Sequence, residues 1–180
     1  MQNFGNQVQF RLYQTMQQPD PNRLPVVCEE WEEKAREALE DGPYDYVAAG
    51  AGAGKTMQAN LNAFDRWELV PRMLRNVEKR DLHVRLFGDT YPFPVLHAPI
   101  GVQSIIHEEG DLGSARACAE LGVPFIASSA STTPLEKIAE EMGDAPRWFQ
   151  LYWSNDPDIA ASFLKRAEAS GYTAIVVTLD

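Results

Sequence analysis

Residues 147–180 read RWFQLYWSNDPDIAASFLKRAEASGYTAIVVTLD, and this stretch decides the fold class. Its apolar segments 147–153 and 174–179 have the composition of β-strands, whereas residues 156–170 between them have helical periodicity. A proline near the start of that helix and a glycine after its end mark the helix termini. A strand, a helix and a second strand in this order predict two parallel strands in one sheet.

The same alternation extends upstream to residue 94. Repeated βα units of this kind predict a parallel sheet, and the chain fits either a four-stranded open sheet or half of an eight-stranded barrel. The continuous apolar run at the start of the last strand predicts burial on both of its faces. The predicted strands are residues 94–98, 124–128, 147–153 and 174–179, and the predicted helices are residues 110–121, 134–142 and 156–170.

The chain before residue 92 lacks this regular alternation. We predict an extended N-terminal arm over residues 1–28, because prolines gather toward its end. A mainly helical segment is predicted over residues 29–91, and the strand-bearing region over residues 92–180. Within the middle segment the patterns indicate helices at 29–41 and 56–64 and a strand at 82–86.

Composition restricts the classes of partner. The 180 residues are 44% hydrophobic and 23% charged, as in globular proteins. The formal net charge of −10 argues against nonspecific binding to nucleic acids and to anionic membranes. No run approaches the ~20 apolar residues of a membrane span. We therefore expect a small-molecule ligand, with no nucleic-acid partner, no membrane partner and no metal site.

The cysteines and the N-terminus bear on the compartment. Cys28 and Cys118 form no disulfide framework, which indicates a reducing environment, and Cys118 lies in an apolar helical stretch typical of a protein core. Residues 1–18 contain no apolar region of a secretory signal. We expect a cytoplasmic location by default, with a peroxisomal or mitochondrial address left open.

Polar side chains collect where the predicted strands end. Period-two alternation places Gln150 and Tyr152 on one face of their strand, and Thr178 and Asp180 on one face of the next. Ser128 is the first polar residue after the strand at 124–128. Parallel sheets place their sites at the carboxyl ends of the strands, so these residues predict a site. The alternative is that Ser128 and Thr178 merely end their strands.

Six segments resemble motifs of the FMN-dependent 2-hydroxy-acid oxidases and dehydrogenases. They occur in the family's order and with matching spacing, between about residue 29 and residue 180, and the closest resemblance is to the lactate 2-monooxygenase branch. The segments are residues 44–50 (YDYVAAG), 60–64 (NLNAF), 72–74 (RML), 98–103 (APIGVQ), 149–152 (FQLY) and 177–180 (VTLD).

The resemblance implies a fold and a reaction. The chain would be the N-terminal half of a (β/α)8 TIM barrel, with helical segments before four parallel strands. The enzyme would oxidise a short L-2-hydroxy acid such as lactate, transferring a hydride to FMN and then reducing oxygen, with oxidative decarboxylation in the monooxygenase branch. Full-length relatives would be homo-oligomers.

The same resemblance implies roles for individual residues. Backbone of the first-strand loop would contact the flavin, polar side chains on later strands would bind its ring or side chain, and two tyrosines would hold the substrate carboxylate and the reacting oxygen. An aspartate would orient the catalytic histidine. The flavin-contacting residues are Ala98, Pro99, Ile100, Gly101, Ser128, Gln150 and Thr178; the tyrosines are Tyr46 and Tyr152, and the aspartate is Asp180, so that Tyr152 and Asp180 would be the catalytic residues of this chain.

Three further residues of the family's site fall on later strands. These are its general-base histidine, a substrate-binding arginine and a lysine near flavin N1. The histidines here, His83, His97 and His107, occupy none of the matching positions; we expect His97 to pack among apolar groups and the other two to lie at the surface. We therefore expect the 180-residue chain by itself to bind FMN weakly and not to turn over.

Gly101 carries the assignment to a branch. Oxidases of the family usually have alanine at this position, facing the flavin N5 region, whereas lactate 2-monooxygenases have glycine. A smaller residue would leave room beside the flavin and change how long the keto-acid product stays bound while oxygen reacts. The alternative is that Gly101 only relieves a tight loop.

Two other functions compete with this interpretation. Residues 49–56 (AGAGAGKT) nearly match a phosphate-binding P-loop ending at Lys55 and Thr56, which would make the protein an NTPase. A P-loop follows a buried strand, but the segment before this one, residues 43–47, is short and polar. The third possibility is a non-catalytic βα scaffold that mediates interactions.

Overall fold

The computed structural model describes residues 4–15, 25 and 27–179. By its internal contacts the chain divides into two units, Met1–Ala48 and Ala49–Asp180. Among the residues described, no helix is both long enough and apolar enough to cross a membrane.

The described part of the first unit is helical. It contains α1 (Phe4–Thr15), α2 (Cys28–Ala38) and α3 (Asp41–Ala48). The predicted extended arm is therefore wrong over Phe4–Thr15, where the chain carries no proline and glycine occurs only in the first turn. The prolines that suggested an arm, beginning with Pro19, come after this helix.

The helix predicted at 29–41 is present but ends earlier. Helix α2 stops at Ala38 because Leu39 adopts an extended conformation, and α3 then begins at Asp41. Pro43 thus lies in the first turn of α3, where its missing N–H has no intrahelical acceptor to lose.

The second unit begins with a short helix and a β-hairpin. Helix α4 (Lys55–Ala63) continues into a 3₁₀ turn at Phe64–Arg66, which confirms the helix predicted at 56–64. Strands β1 (Val84–Leu86) and β2 (Asp89–Tyr91) pair antiparallel. Both residues of their turn have positive φ (Phe87 51° and Gly88 95°), as a two-residue type I′ turn requires. The strand predicted at 82–86 is confirmed in its second half, and the hairpin partner was not predicted.

The remainder contains three parallel strands, each preceded by a helix. The strands are β3 (Phe125–Ser128), β4 (Arg147–Leu151) and β5 (Ile175–Val177), in the order β3-β4-β5. The helices are α5 (Gly110–Leu121), α6 (Leu135–Met142) and α7 (Pro157–Ala169). The predicted βα alternation is confirmed, with each element bounded within two residues of its predicted limits.

The predicted strand at 94–98 is not formed. A single parallel bridge joins His97 to Phe125, with the His97 N–H donating to Pro124 O over 2.9 Å and the Ile126 N–H donating to His97 O over 3.2 Å. Prolines at 94 and 99 bracket this bridge, and neither can donate a ladder hydrogen bond. The segment therefore lies beside β3 without extending the ladder.

Alternation along the strands divides the sheet into two faces. Phe125, Phe149 and Leu151 lie in the larger hydrophobic cluster, which includes residues of α5, α6 and α7, among them Cys118 as predicted. On the opposite face Ile126 and Trp148 lie in a cluster with Tyr91 of the hairpin. The Tyr91 and Phe87 rings meet Trp148 edge-on, with centroids 6.3 and 5.4 Å away.

Strand β5 departs from the prediction of burial on both faces. Ile175 and Val177 keep 41% and 45% of their surface exposed. Both side chains share the sheet face of Phe149 and Leu151, but β5 is an edge strand among the described residues, where the helices on that face leave the side chains partly uncovered.

Candidate functional site

The amide of Gln150 is the centre of a polar cluster at the carboxyl end of the sheet. Gln150 is 1% exposed. Its Oε1 accepts hydrogen bonds from Ser128 Oγ (3.2 Å), from the Ser129 N–H (3.1 Å) and from Ser129 Oγ (3.3 Å). Its Nε2 donates to Thr178 Oγ1 over 2.8 Å. One side chain on β4 therefore joins the ends of β3, β4 and β5.

The strand register explains this convergence. Ser128 is paired with Gln150 across β3 and β4, and Gln150 is paired with Val176 across β4 and β5. Thr178 lies two residues beyond Val176, so period two returns it to the same face. This is the face that carries Ile126 and Trp148 one layer lower. The face is thus apolar under the hairpin and polar at the strand ends.

The loop after β3 is tied to β4 by a second set of bonds. Ser128 Oγ accepts from the Ala130 N–H over 3.0 Å, and Ser129 Oγ accepts from the Tyr152 N–H over 3.1 Å. The Tyr152 side chain follows directly after β4 and is half exposed. A phenol in this position can donate a hydrogen bond to a bound anion without carrying charge.

The segment 98–101 follows the His97 bridge and reaches the same loop. The Val102 N–H donates to Ala130 O over 3.0 Å. A Cβ placed on Gly101 would lie 3.1 Å from Ala130 Cβ and 3.4 Å from Ala130 O. An alanine at 101 would therefore require the two loops to move apart, which gives the tight-loop interpretation of Gly101 a geometric basis.

A buried carboxylate that sequence analysis missed lies behind these loops. Asp111, in the first turn of α5, has none of its surface exposed. Its Oδ2 accepts from Thr132 N–H, Thr132 Oγ1 and Thr133 N–H, over 3.0, 2.8 and 3.1 Å, and its Oδ1 accepts from Gln103 Nε2 over 3.3 Å. The signal was available: Asp111 shares helical spacing with Ala115 and Cys118, and all three are buried.

The donor set matches what an isoalloxazine ring needs. Gln150 Nε2 carries two hydrogens and gives one to Thr178 Oγ1, and the Thr178 hydroxyl retains its own hydrogen. The pyrimidine edge of a flavin offers carbonyl and ring-nitrogen acceptors and one N–H, which amide and hydroxyl groups can address.

Two further predicted site residues are not assigned to this cluster. Tyr46 belongs to α3 of the first unit, with 64% of its surface exposed. Asp180 lies outside the described residues. Their roles toward substrate and histidine stay predictions.

The histidines lie as expected from sequence. His97 stacks on Phe125 with ring centroids 4.7 Å apart, and burial lowers the pKa of its imidazole. Within the described part of the chain its buried Nδ1 has no hydrogen-bond partner. His83 and His107 are exposed. His97 is thus a neutral packing residue.

The P-loop alternative lacks its structural context. The residues before the glycine-rich segment form helix α3, not a buried strand. Gly54, with a φ of 68°, provides the left-handed N-cap of α4. The glycines therefore join two helices.

Comparison with known proteins identifies similar chains. The model of the family described as FMN-dependent dehydrogenase matches residues 35–180. An L-lactate oxidase of Lysinibacillus sphaericus is 42% identical over 87% of this chain and 41% of its own length. An FMN-dependent alpha-hydroxy acid dehydrogenase of Penicillium citrinum is 42% identical over 96% of this chain and 44% of its own length.

The fold is also that of solved structures. A crystal structure of mandelate oxidase with 3,3-difluoro-2-hydroxy-3-phenylpropionic acid superposes with a TM-score of 0.81 at 35% identity, over 87% of this chain and 46% of that one. A mandelate oxidase variant with a C4a-OH-FMN adduct has a TM-score of 0.78 at 34% identity, over 82% and 44%. The chain thus has the architecture of part of a (β/α)8 barrel and spans less than half the length of these relatives.

Proposed function

Because the chain belongs to the FMN-dependent dehydrogenase family, we propose that it forms the flavin-binding wall of an enzyme that oxidises a short 2-hydroxy acid with oxygen. The observation that carries the proposal is the convergence of Ser128, Gln150 and Thr178 at one end of the sheet. The chemistry that FMN supplies when bound is to accept the two electrons that leave the hydroxy acid. The protein's part is to bind, orient and exclude water.

Gln150 is the residue with the most to do in this proposal. Three donors hold its Oε1, so its Nε2 is oriented toward Thr178 and the open end of the sheet. A flavin edge placed there would accept hydrogen bonds from the second N–H of Gln150 Nε2 and from the Thr178 hydroxyl. Because the amide is already fixed, little side-chain entropy is lost when the flavin binds.

Substrate binding is assigned to two phenols. The backbone of Tyr152 is held by the bond from its N–H to Ser129 Oγ, and its half-exposed side chain begins where β4 ends. Tyr46 is assigned the same kind of contact by family resemblance. Lactate is the favoured substrate class because an L-lactate oxidase is among the similar proteins.

The monooxygenase branch is part of the proposal and depends on Gly101. By the family resemblance, the monooxygenase branch has glycine at this position, where the oxidases have a side chain. The tight contact with Ala130 makes glycine sterically favourable for a second reason, so a test must separate the two. The matched double variant described in the Discussion does so.

We propose further that the 180-residue chain by itself binds FMN weakly and does not turn over. His97, the histidine next to the flavin loop, is stacked on Phe125 and is not placed to act as a general base. Stoichiometric flavin copurifying with the chain, together with lactate-dependent oxygen uptake, would contradict this.

The experiment is a titration of FMN with the chain, in which quenching of flavin fluorescence measures binding. We expect saturable binding that Gln150→Leu weakens on the order of tenfold or more, because the flavin edge loses a fixed donor. Tyr172→Phe is the control, since it removes a buried hydrogen bond to Leu135 O on the helix-covered side of the sheet. Equal affinity of the chain and of Gln150→Leu would refute the proposed site.

A further inference from the structure

The burial of Asp111 requires an explanation beyond packing. Its carboxylate is wholly buried, and no salt bridge to it is present among the described residues. Burying a carboxylate is unfavourable unless hydrogen bonds replace its water, and an apolar residue of similar size is often at least as stable. Here four hydrogen bonds replace that water: three come from the loop after β3, and the fourth comes from Gln103, which follows the segment 98–102 and begins a 3₁₀ turn (Gln103–Ile105).

The loops that Asp111 holds are the two that border the candidate flavin site. Thr132 and Thr133 belong to the loop after β3, which begins at the Gln150-bound Ser128. Gln103 closes the 98–103 loop, and its Nε2 also reaches Ile100 O at 3.4 Å. Both oxygens of one carboxylate are thus used, one for each loop.

Neighbouring contacts keep this arrangement rigid. Ser114 Oγ donates to Gln103 Oε1 over 2.7 Å, and the other end of the amide, Nε2, faces the Asp111 carboxylate. The two loops also meet directly through the Val102 N–H and Ala130 O. The close approach of Gly101 to Ala130, where an added Cβ would lie 3.1 Å from Ala130 Cβ, therefore falls between two segments that are held together at more than one point.

We propose that Asp111 is a positioning residue that sets the spacing of the segments 98–101 and 128–130 and thereby the shape of the flavin-facing wall. The flavin part of this inference rests on the proposed function, whereas the spacing part does not. Asp111 touches neither segment's flavin-facing groups directly; it acts through Gln103, Thr132 and Thr133.

The first arm of the test needs no flavin. Amide hydrogen exchange is measured by NMR on the chain and on Asp111→Asn. Asparagine places an NH₂ group opposite Gln103 Nε2, two donors face to face, so Gln103 either turns its amide over, which breaks its bond to Ile100 O, or moves away from residue 111. We expect exchange at Val102 to accelerate on the order of tenfold relative to Phe149 in the core of the sheet.

The second arm measures the FMN dissociation constant. We expect Asp111→Asn to raise it on the order of tenfold. Adding Gln103→Glu should restore both readouts, because a carboxylate at 103 can accept from the new amide at 111 and from Ser114 Oγ. A merely structural role would not be rescued by moving the charge to the facing loop.

Two further variants guard against general destabilisation. Thr132→Val removes one hydroxyl donor to Asp111 and should shift both readouts in the same direction by a smaller factor. Tyr172→Phe loses a buried hydrogen bond elsewhere and should change neither the Val102-to-Phe149 exchange ratio nor the FMN affinity. If Asp111→Asn fails to fold, Thr132→Val carries the test.

The outcomes separate the two proposals. Unchanged relative exchange at Val102 in Asp111→Asn and in Thr132→Val would overturn the positioning role, whether or not FMN binds. Accelerated exchange with unaltered FMN affinity would overturn its link to the flavin wall. Absence of FMN binding by the unaltered chain would contradict the proposed function, and the exchange arm would then decide the Asp111 proposal without flavin.

Discussion

Gly101 and Ala130 approach so closely that a Cβ on residue 101 would lie 3.1 Å from the Cβ of residue 130. Gly101 belongs to the loop that follows the His97 bridge, and Ala130 belongs to the loop that follows β3. The Val102 N–H bond to Ala130 O holds them together. Gly101, on which the proposed monooxygenase assignment depends, therefore also has little space for a side chain.

Gly101→Ala is expected to lower stability by about 1 kcal/mol, because it forces the two loops apart. Adding Ala130→Gly removes the opposing methyl group, so the double variant should recover most of that loss. Urea denaturation of the chain measures both values. A double variant as unstable as Gly101→Ala would contradict the contact.

The same pair separates steric from chemical effects in a full-length enzyme. If Gly101 acts through space beside the flavin, Gly101→Ala should shift products from the acetate type toward the pyruvate type, with or without Ala130→Gly. Product analysis by chromatography checks this. An unchanged product partition in both variants would contradict the monooxygenase assignment.

Gln150→Leu is expected to destabilise the chain by about 1–3 kcal/mol, because Ser128 Oγ, the Ser129 N–H and Ser129 Oγ lose their acceptor near the buried end of the sheet. Thr178→Val is the matched variant at the other end of the cluster. It leaves the three donors satisfied and should cost less. Chemical denaturation ranks the two, and the reverse order would contradict the central place of Gln150.

Tyr172→Phe is expected to alter stability with a characteristic pH dependence. Burial raises the pKa of the Tyr172 phenol above its usual value near 10. The folded state therefore keeps the proton that the unfolded state loses, so the stabilisation is fully present below pH ~10 and is lost as pH rises further. The stability of the original chain should fall more steeply above pH ~10 than that of Tyr172→Phe.

Denaturation at several pH values up to ~11 gives the difference between these two proteins. Taking the difference cancels the other tyrosines with raised pKa, Tyr44 and Tyr91. Near neutral pH the variant should be less stable by about 1 kcal/mol, since the hydrogen bond to Leu135 O is lost. Parallel pH profiles would show that Tyr172 does not titrate differently on unfolding.

Gly171→Ala is expected to destabilise more than Gly122→Ala. Both glycines follow helices with positive φ, 72° and 67°, and each substitution should cost about 1 kcal/mol for that reason. At Gly171 an added Cβ would also lie 2.7 Å from Arg147 Nη2, whereas at Gly122 the nearest atom is Pro92 Cγ at 4.0 Å. Arg147 donates to Ser170 O from Nε and Nη2, so moving it has a further cost.

Thermal unfolding of the two variants provides the comparison. A Gly122→Ala protein as unstable as Gly171→Ala would mean that backbone conformation accounts for the whole effect. Replacing Arg147 by alanine in the Gly171→Ala background should remove the loss of stability that comes from the clash with Arg147. The loss that remains comes from the positive φ at residue 171 and from the missing hydrogen bonds of Arg147.

Local patterns in the sequence were sufficient for the parallel sheet and for the meeting of Ser128, Gln150 and Thr178. Parallel register and period-two alternation are local rules, so polar residues at the ends of neighbouring strands must share one edge and one face. The P-R-W-F-Q-L run at 146–151 and the apolar run at 174–177 carried enough of both signals. The helices α5 to α7 likewise follow from periodicity and from their terminal prolines and glycines.

Other features were decided by tertiary structure, because they depend on residues distant in sequence. Asp111 accepts a hydrogen bond from Thr132, which lies twenty-one positions away in the sequence. Its carboxylate, on the apolar face of a helix, therefore joins two loops only in the folded protein. The strand expected at 94–98 shrank to one bridge, since β3 could pair only where prolines left donors. The distance from Gly101 to Ala130 follows from both, and no local pattern encodes a gap between two loops.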